Sequence, residues 1–491
     1  MGTLPLLNRK SFPGPQPHPA RILQFGEGNF LRAFVDWMVD IMNESCDFRS
    51  SVTVVQPIRK GKVEILNRQD GLYTVVLNGR RGGEAVRETR LIRCIGRGID
   101  PYEDFEGFLE PAGSSHLRFV VSNTTEAGIV FEQSGGLEEG AENTFPGKLT
   151  LFLHRRFERF RGDRDRGLII LPCELIESNG RALKQAVLRY AELWKLGQPF
   201  CRWVDQANCF CNTLVDRIVP GFPAGRIESI QNELGYRDEL LVEAELFHLW
   251  LIEGPPLVEA EFPAGRAGMN VNFVKGLRQY RDRKVRIMNG AHTCLVPVGL
   301  LSGLDTVREA VEDPLVGAYL RRLVFQEILP TLSLPLRNTR PFAEQVLERF
   351  ANPYIDHRLA TIALNSIPKW NARVLPTLHE YLRLKGRLPQ AVVFSLAAMI
   401  ALYRGQANGR PLPLSDAPEI LELFRGWWSE VEPGRSRAYT LVAGILAERR
   451  LWGERLSGIP GLTAAVEAFL ADILDRGMRK ALSLALRKNS R

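Results

Sequence analysis

Nine consecutive residues, Lys284-Val285-Arg286-Ile287-Met288-Asn289-Gly290-Ala291-His292, place an ammonium, a carboxamide and an imidazole on one short segment. On an α-helix, at about 100° per residue, Asn289 falls about 140° and His292 about 80° round from Lys284, and the rise separates Lys284 from His292 by roughly 12 Å. The three groups then share one arc, with His292 between the other two. Such a set suits proton exchange at a carbonyl or alcohol oxygen. The lysine supplies or removes the proton, the amide meets developing charge, and the imidazole orients the reactant. Burial and a neighbouring cation, Arg286, would favour a neutral amine there. The same residues equally suit a solvated lysine, a packed helix histidine and a helix-breaking Asn-Gly, so the segment alone does not decide.

A second candidate lies near the start. Residues 21–25 (RILQF) are predicted as a strand, Gly26-Glu27-Gly28 as a tight turn, and Asn29 onward as an amphipathic helix carrying Phe30, Phe34, Trp37, Met38 and Ile41 on one face. Two glycines between a strand and a helix allow a pyrophosphate to approach the backbone at a helix N-terminus. The third glycine of the usual fingerprint is replaced by Leu31. A second strand, 51–55, runs into Gln56-Pro57-Ile58-Arg59-Lys60, with no carboxylate where a ribose hydroxyl is ordinarily bound. Gln56 can bond a hydroxyl, and Arg59 with Lys60 suits a 2′-phosphate, so NAD and NADP both stay open.

These groups need a scaffold. Residues 117–121 and 167–171 are apolar runs of buried-strand type, ending in Ser122-Asn123-Thr124-Thr125-Glu126 and in Cys173-Glu174 followed by Asn179-Gly180. Parallel α/β sheets bind ligands beyond the carboxyl ends of their strands, where those polar tails fall. Asn179-Gly180 also fits a plain helix start. From about residue 275 helical periodicity takes over, as in 391–402 and 462–486, where Val466, Phe469, Leu470, Ile473 and Leu474 share a face. The expected organisation is an irregular proline-rich arm (1–20), an α/β domain with a parallel sheet (21–274) and an all-helical domain (275–491), with Lys284 near the junction.

Composition limits the function classes. The 491 residues exceed what one core usually holds, and 45% apolar with 24% charged content is ordinary for a globular protein. The net charge of +8 comes from scattered arginines rather than a basic stripe interleaved with aromatics, so an anionic small substrate fits better than nucleic acid. No secretory segment is evident, and no apolar run reaches the ~18 residues of a membrane span. Seven cysteines, with Cys209-Phe210-Cys211 lacking a second pair at zinc spacing, point to reduced thiols, a cytoplasmic setting and no metal.

Together the motifs resemble the polyol-specific long-chain dehydrogenases, the mannitol dehydrogenase family. The resemblance rests on Ile22-Leu23-Gln24-Phe25-Gly26-Glu27-Gly28-Asn29-Phe30-Leu31-Arg32-Ala33 and on Lys284-x-Arg286-x-x-Asn289-Gly290-Ala291-His292. Supporting stretches are Asn212-Thr213-Leu214-Val215-Asp216-Arg217, His248-Leu249-Trp250-Leu251-Ile252-Glu253-Gly254-Pro255 and Arg349-Phe350-Ala351-Asn352-Pro353. The resemblance implies a Rossmann-like N-terminal domain followed by a helical C-terminal domain, NAD as cofactor, and metal-independent hydride transfer. The implied substrates are D-tagaturonate and D-altronate, with the fructuronate/mannonate pair, mannitol and arabinitol as alternatives. By matching positions, Lys284 becomes the general acid/base, Asn179 and Asn289 flank the reacting oxygen, His292 orients the substrate, and Asp216 lies near its hydroxyls. The cofactor-binding set is Phe25, Gly26, Gly28, Asn29, Phe30, Arg32, Gln56 and Thr125. A hexuronate carboxylate calls for a cation, and Lys369 and Arg373 are the candidates. The expected state is a monomer or weak homo-oligomer.

Overall fold

A computed structural model describes residues 4–124, 128–133, 136–355, 357–407, 410–412, 414–429 and 435–487. The chain divides into two compact units, residues 1–277 and 278–491.

The first unit contains β1 (Ala20–Phe25), β2 (Ser51–Val55), β3 (Tyr73–Arg81), β4 (Glu84–Ile92), β5 (Ile95–Ile99), β6 (Phe119–Ser122), β7 (Ile169–Pro172), β8 (Cys209–Phe210), β9 (Asn212–Asp216), β10 (Val242–Glu245), β11 (Leu249–Glu253) and β12 (Val271–Val274). Its main sheet runs β5-β2-β1-β6-β7-β8, with every pair parallel. Counted within that sheet alone, the order is 3-2-1-4-5-6, the dinucleotide-binding arrangement, with its switch point between β1 and β6.

The strands are apolar without interruption because both faces are covered. Ile22, Val52, Val54, Phe119, Val121, Ile169 and Leu171 face one core, against the Val35–Ser45 helix and residues of the smaller sheets. Leu23, Phe25, Val55, Val120 and Ile170 face another, against helices Phe145–Arg159, Asn179–Leu193 and Gln198–Ala207. Two three-stranded sheets, β10-β3-β4 and β12-β11-β9, were not foreseen. The proline-rich arm is anchored by a Leu6–Arg237 bridge and by Leu7, which packs with Leu72 and Tyr236.

One expected helix is two. Asn29–Arg32 makes a single turn, and Val35–Ser45 begins after a break at Ala33 and Phe34. Side chains explain the break: the Tyr73 hydroxyl donates to the Arg32 carbonyl (3.1 Å) and Arg217 Nη1 to the Ala33 carbonyl (2.7 Å). Both acceptors are thereby withdrawn from the helical ladder.

Among its described residues the second unit is helical apart from loops and a short Gln406–Ala407/Arg410–Pro411 hairpin. Its centre is helix Gln390–Leu402, buried all round and packed by helices Ala291–Leu301 and Leu462–Arg476. The buried carboxylate of Glu327 accepts the Ala391 and Val392 amides at 2.9–3.0 Å, capping that helix. The predicted 462–486 helix breaks at Gly477 (φ +78°). Among the described residues no helix is long and apolar enough to cross a membrane.

Candidate active site

In the first unit, the turn after β1 is shaped by Gly26. Its φ is +121°, and a Cβ there would meet the Asn123 carbonyl oxygen at 3.1 Å and Leu31 Cδ1 at 3.3 Å. Its amide donates to the Val55 carbonyl (3.0 Å), and the Asn123 amide to that of Phe25 (3.1 Å), so the turn is tied to both neighbouring strands at the switch point. Gly28 precedes the Asn29–Arg32 turn and faces open space. A buried network supports the turn from beneath. Gln24 Nε2 donates to the Gly26 carbonyl (3.1 Å) and to Asp36 Oδ2 (3.3 Å), which also accepts from the Tyr73 hydroxyl (2.9 Å). Burial pushes the Asp36 carboxyl up to about 7, against these hydrogen bonds and the nearby Arg32 charge.

The named cofactor residues differ in what they present. Phe25 is fully buried between Phe108 and Phe145, so only its backbone borders the turn. Phe30 stacks on Phe34 at 4.9 Å. Arg32 is buried with its guanidinium committed to the Glu27 and Leu240 carbonyls and to Asn29 Oδ1 (2.7 Å). It shapes the turn from inside instead of offering a charge to a ligand. Thr125 lies outside the described residues; the neighbouring Thr124 donates its amide and its hydroxyl to buried Glu174 at 3.0 Å.

At the end of β2, Gln56 Nε2 donates to Asp100 Oδ2 at 2.8 Å. The carboxylate missing from the β2 tail is thus supplied by the residue following β5. Strand adjacency, invisible in one sequence, was the only signal for it. Arg59 pairs with Glu142 and lies over the Tyr102 ring (5.0 Å), so its charge is already engaged within the protein. Lys60 is exposed.

Asn179 begins its helix as foreseen, but its amide is saturated. Nδ2 donates to the Pro172 (2.9 Å) and Glu174 (3.1 Å) carbonyls, and Oδ1 accepts the Gly180 (2.9 Å) and Thr213 (2.8 Å) amides. The side chain fastens the end of β7 to β9. Asp216 is buried at the end of β9. Arg217 donates to the Glu245 (2.9 Å) and Ala33 carbonyls, and burial lowers its guanidinium to about 9.

In the second unit, helix Arg278–Lys284 runs into a π-helical turn, Val285–Gly290, and then into Ala291–Leu301. The α-helical phase expected for the motif is therefore interrupted between Lys284 and Ala291, while Lys284 and His292 themselves lie in α-helices. In a π turn the hydrogen bond reaches the fifth residue, so a five-residue spacing, that of Lys284 and Asn289, falls on one side of the helix. Arg286, expected to influence Lys284, is a clamp: its guanidinium donates to Thr331 Oγ1 (2.9 Å), Thr377 Oγ1 (3.1 Å), the Thr331 and Pro376 carbonyls (3.2 Å each) and Asp282 (3.3 Å).

His292 is buried, stacked on Phe350 (3.9 Å between centroids) and edge-on to His357 (4.9 Å). Burial first, then His357, Arg349 and Arg373, hold its imidazole well below the usual range. Burial therefore favours its neutral form. His292 Nε2 and Asn289 Oδ1 are buried and find no hydrogen-bond partner among the described residues. Arg373 reaches the same place: Nη1 donates to Thr293 Oγ1 (3.5 Å), whose hydroxyl donates to the Asn289 carbonyl (2.9 Å). A Cβ on Gly290 would lie 3.0 Å from the Arg373 carbonyl oxygen, so glycine permits this close approach of helix Ser366–Arg373. Lys369 sits one turn earlier on that helix, with Nζ donating to the Ile362 carbonyl (3.0 Å). Among the described residues no three His, Cys, Asp or Glu side chains cluster as metal ligands.

Two family models cover most of the chain: the mannitol dehydrogenase Rossmann domain over residues 20–264 and the mannitol dehydrogenase C-terminal domain over 276–474. The chain belongs to the mannitol dehydrogenase family. Among curated family relatives, the altronate oxidoreductase of Bacillus subtilis is 48% identical over 97% of both chains. That of Phocaeicola vulgatus is 49% identical over 94% of this chain and 95% of its own. Among solved structures, the Pseudomonas fluorescens mannitol 2-dehydrogenase complex with NAD and D-mannitol matches with TM-score 0.65 and 22% identity, covering 98% of this chain and 99% of that one. A substrate-free D-sorbitol dehydrogenase matches with TM-score 0.77 and 21% identity over 97% and 100%. These solved likenesses share the fold of this mannitol dehydrogenase family member.

Proposed function

We propose that this protein is an NAD-dependent altronate oxidoreductase, interconverting D-tagaturonate and D-altronate in hexuronate catabolism. Near-full-length identity of 48–49% to altronate oxidoreductases carries the choice of substrate. Gly26, Gly28 and the backbone of the Asn29–Arg32 turn would hold the cofactor pyrophosphate, and Gln56 with Asp100 the ribose. The fit rests on the positive φ of Gly26 and the open space beside Gly28. NAD is preferred to NADP because Arg59 is engaged by Glu142. Bound NADH supplies the hydride.

The side chains supply the rest. Lys284 gives a proton to the oxygen of the reduced carbonyl and removes it in the oxidative direction. Asn289, with its buried unpartnered oxygen, orients that hydroxyl, its amide N–H groups meeting developing charge. A neutral His292 positions the substrate through hydrogen bonding, leaving positive charge to lysine and arginine. Asp216 contributes at the sugar hydroxyls. Arg373 and Lys369 receive the carboxylate that a neutral polyol lacks. Asn179 acts through position, holding β7 to β9. NADH and NADPH consumption with tagaturonate, fructuronate and fructose side by side tests this. Fastest turnover of tagaturonate with NADH is expected; faster turnover of fructuronate or fructose overturns it.

A further inference from the structure

Cys209 and Cys211 take no part in the chemistry above. Cys209 lies in β8, whose backbone follows β7; Cys211 is the residue at which the chain leaves that parallel sheet and enters β9. Residues i and i+2 of an extended strand point to the same side about 6.6 Å apart, within the span a disulfide bridges. The two sulfurs are already 3.6 Å apart. Cys209 is partly exposed and Cys211 buried. The hydrogen bond between the two sulfurs, then the charges of Arg118 and Lys184, favour a Cys209 thiolate against the opposing effect of burial. The pair thus has an accessible nucleophile backed by a second thiol.

We propose that Cys209 and Cys211 form a peroxide-reactive dithiol that closes to an intrachain disulfide and lowers dehydrogenase activity. The Cys209 sulfur attacks one oxygen of hydrogen peroxide. The O–O bond breaks, and the departing hydroxide leaves as water with the thiol proton, giving a sulfenic acid. The Cys211 sulfur then attacks the Cys209 sulfur, and the hydroxyl leaves as a second water with the Cys211 proton. Both sulfurs are oxidised by one electron each, and the peroxide is reduced to two waters.

Closure acts on the neighbouring helix. The two sulfurs must approach from 3.6 Å to about 2.05 Å, which pulls on both backbones, Cys209 held by its amide bond to the Leu168 carbonyl (2.8 Å) and Cys211 by its own to the Ile170 carbonyl (3.0 Å). The Cys211 carbonyl packs directly on Gly180. The next two residues hold the same helix: Asn212 Oδ1 accepts the Arg181 amide (3.1 Å), and the Thr213 amide donates to Asn179 Oδ1 (2.8 Å). Oxidation therefore loosens the junction of β7, β9 and the Asn179 helix. The small ring makes the bond easy to reduce.

The test uses the full-length enzyme loaded with NADH. It is treated with hydrogen peroxide, quenched with catalase, and read by peptide mass and by turnover. Loss of two hydrogen masses from the peptide spanning Cys209 and Cys211, with a several-fold fall in turnover that dithiothreitol reverses, is expected. Cys209→Ser, with Cys209→Ala as a second variant, should show neither change, while Cys201→Ser should respond as wild type. A sulfinic acid or an unmodified peptide overturns the dithiol. A disulfide that leaves turnover unchanged, or equal inactivation of Cys209→Ser, overturns the link to activity. The mass readout is independent of which sugar acid is the substrate.

Discussion

Replacing Asp36 by asparagine asks how the cofactor turn is held. Asp36 is fully buried, bound by Tyr73 and by the Gln24 amide that also holds the Gly26 carbonyl. Burial raises its carboxyl to about 7, above the value of about 3.9 expected when unfolded. A carboxyl shifted upward contributes stability that is complete at low pH and is lost as pH rises from about 4 through 7. Between pH 5 and pH 8 roughly two units of that interval are crossed. At 1.36 kcal/mol per unit, the wild type loses about 2.5–3 kcal/mol that asparagine, having no proton to release, keeps. Asparagine also offers an oxygen to the same two donors. At about 2–4 °C per kcal/mol for a unit of this size, the variant should gain roughly 5–10 °C on the wild type between the two pH values. Scanning calorimetry at pH 5 and pH 8, following the transition that NADH shifts, measures the difference. An equal Tm difference at both pH values, or a variant that loses ground at pH 8, refutes the neutral-acid support of the turn.

Gly26→Ala forces a side chain into φ +121° and against the Asn123 carbonyl. Strain of about 1–3 kcal/mol, relieved by displacing the turn, should raise the NADH Kd roughly 5- to 150-fold in fluorescence titration. Arg373→Met and Lys369→Ala should each raise KM for tagaturonate about tenfold or more while leaving that for fructose nearly unchanged, since a charge-assisted hydrogen bond contributes about 1.5–3 kcal/mol. Equal effects on both substrates would remove the carboxylate assignment. Asn289→Ala should lower kcat about 10²- to 10³-fold with little change in NADH affinity, as checked by steady-state kinetics.

The strand ends were legible because parallel strands covered on both faces must be apolar throughout, as 167–171 is. The smaller sheets were not. β4 is largely exposed and carries four charged residues, so its pairing with β3 leaves little hydrophobic trace. Gly26 was legible as a turn, whereas Asp100 reaches Gln56 only through strand order. The π turn was invisible because the same residues are compatible with an α-helix, and only the backbone shows the extra residue. Residue type also gave no sign of what Arg32 and Asn179 bind within the protein. Both looked like ligand donors, and both are committed to backbone partners that a linear sequence cannot place.

Lys284→Ala tests the central claim most directly, by turnover of tagaturonate with NADH across pH 6–10. The account predicts a kcat lowered about 10²- to 10⁴-fold with the NADH Kd unchanged. Near-wild-type turnover at every pH would contradict it.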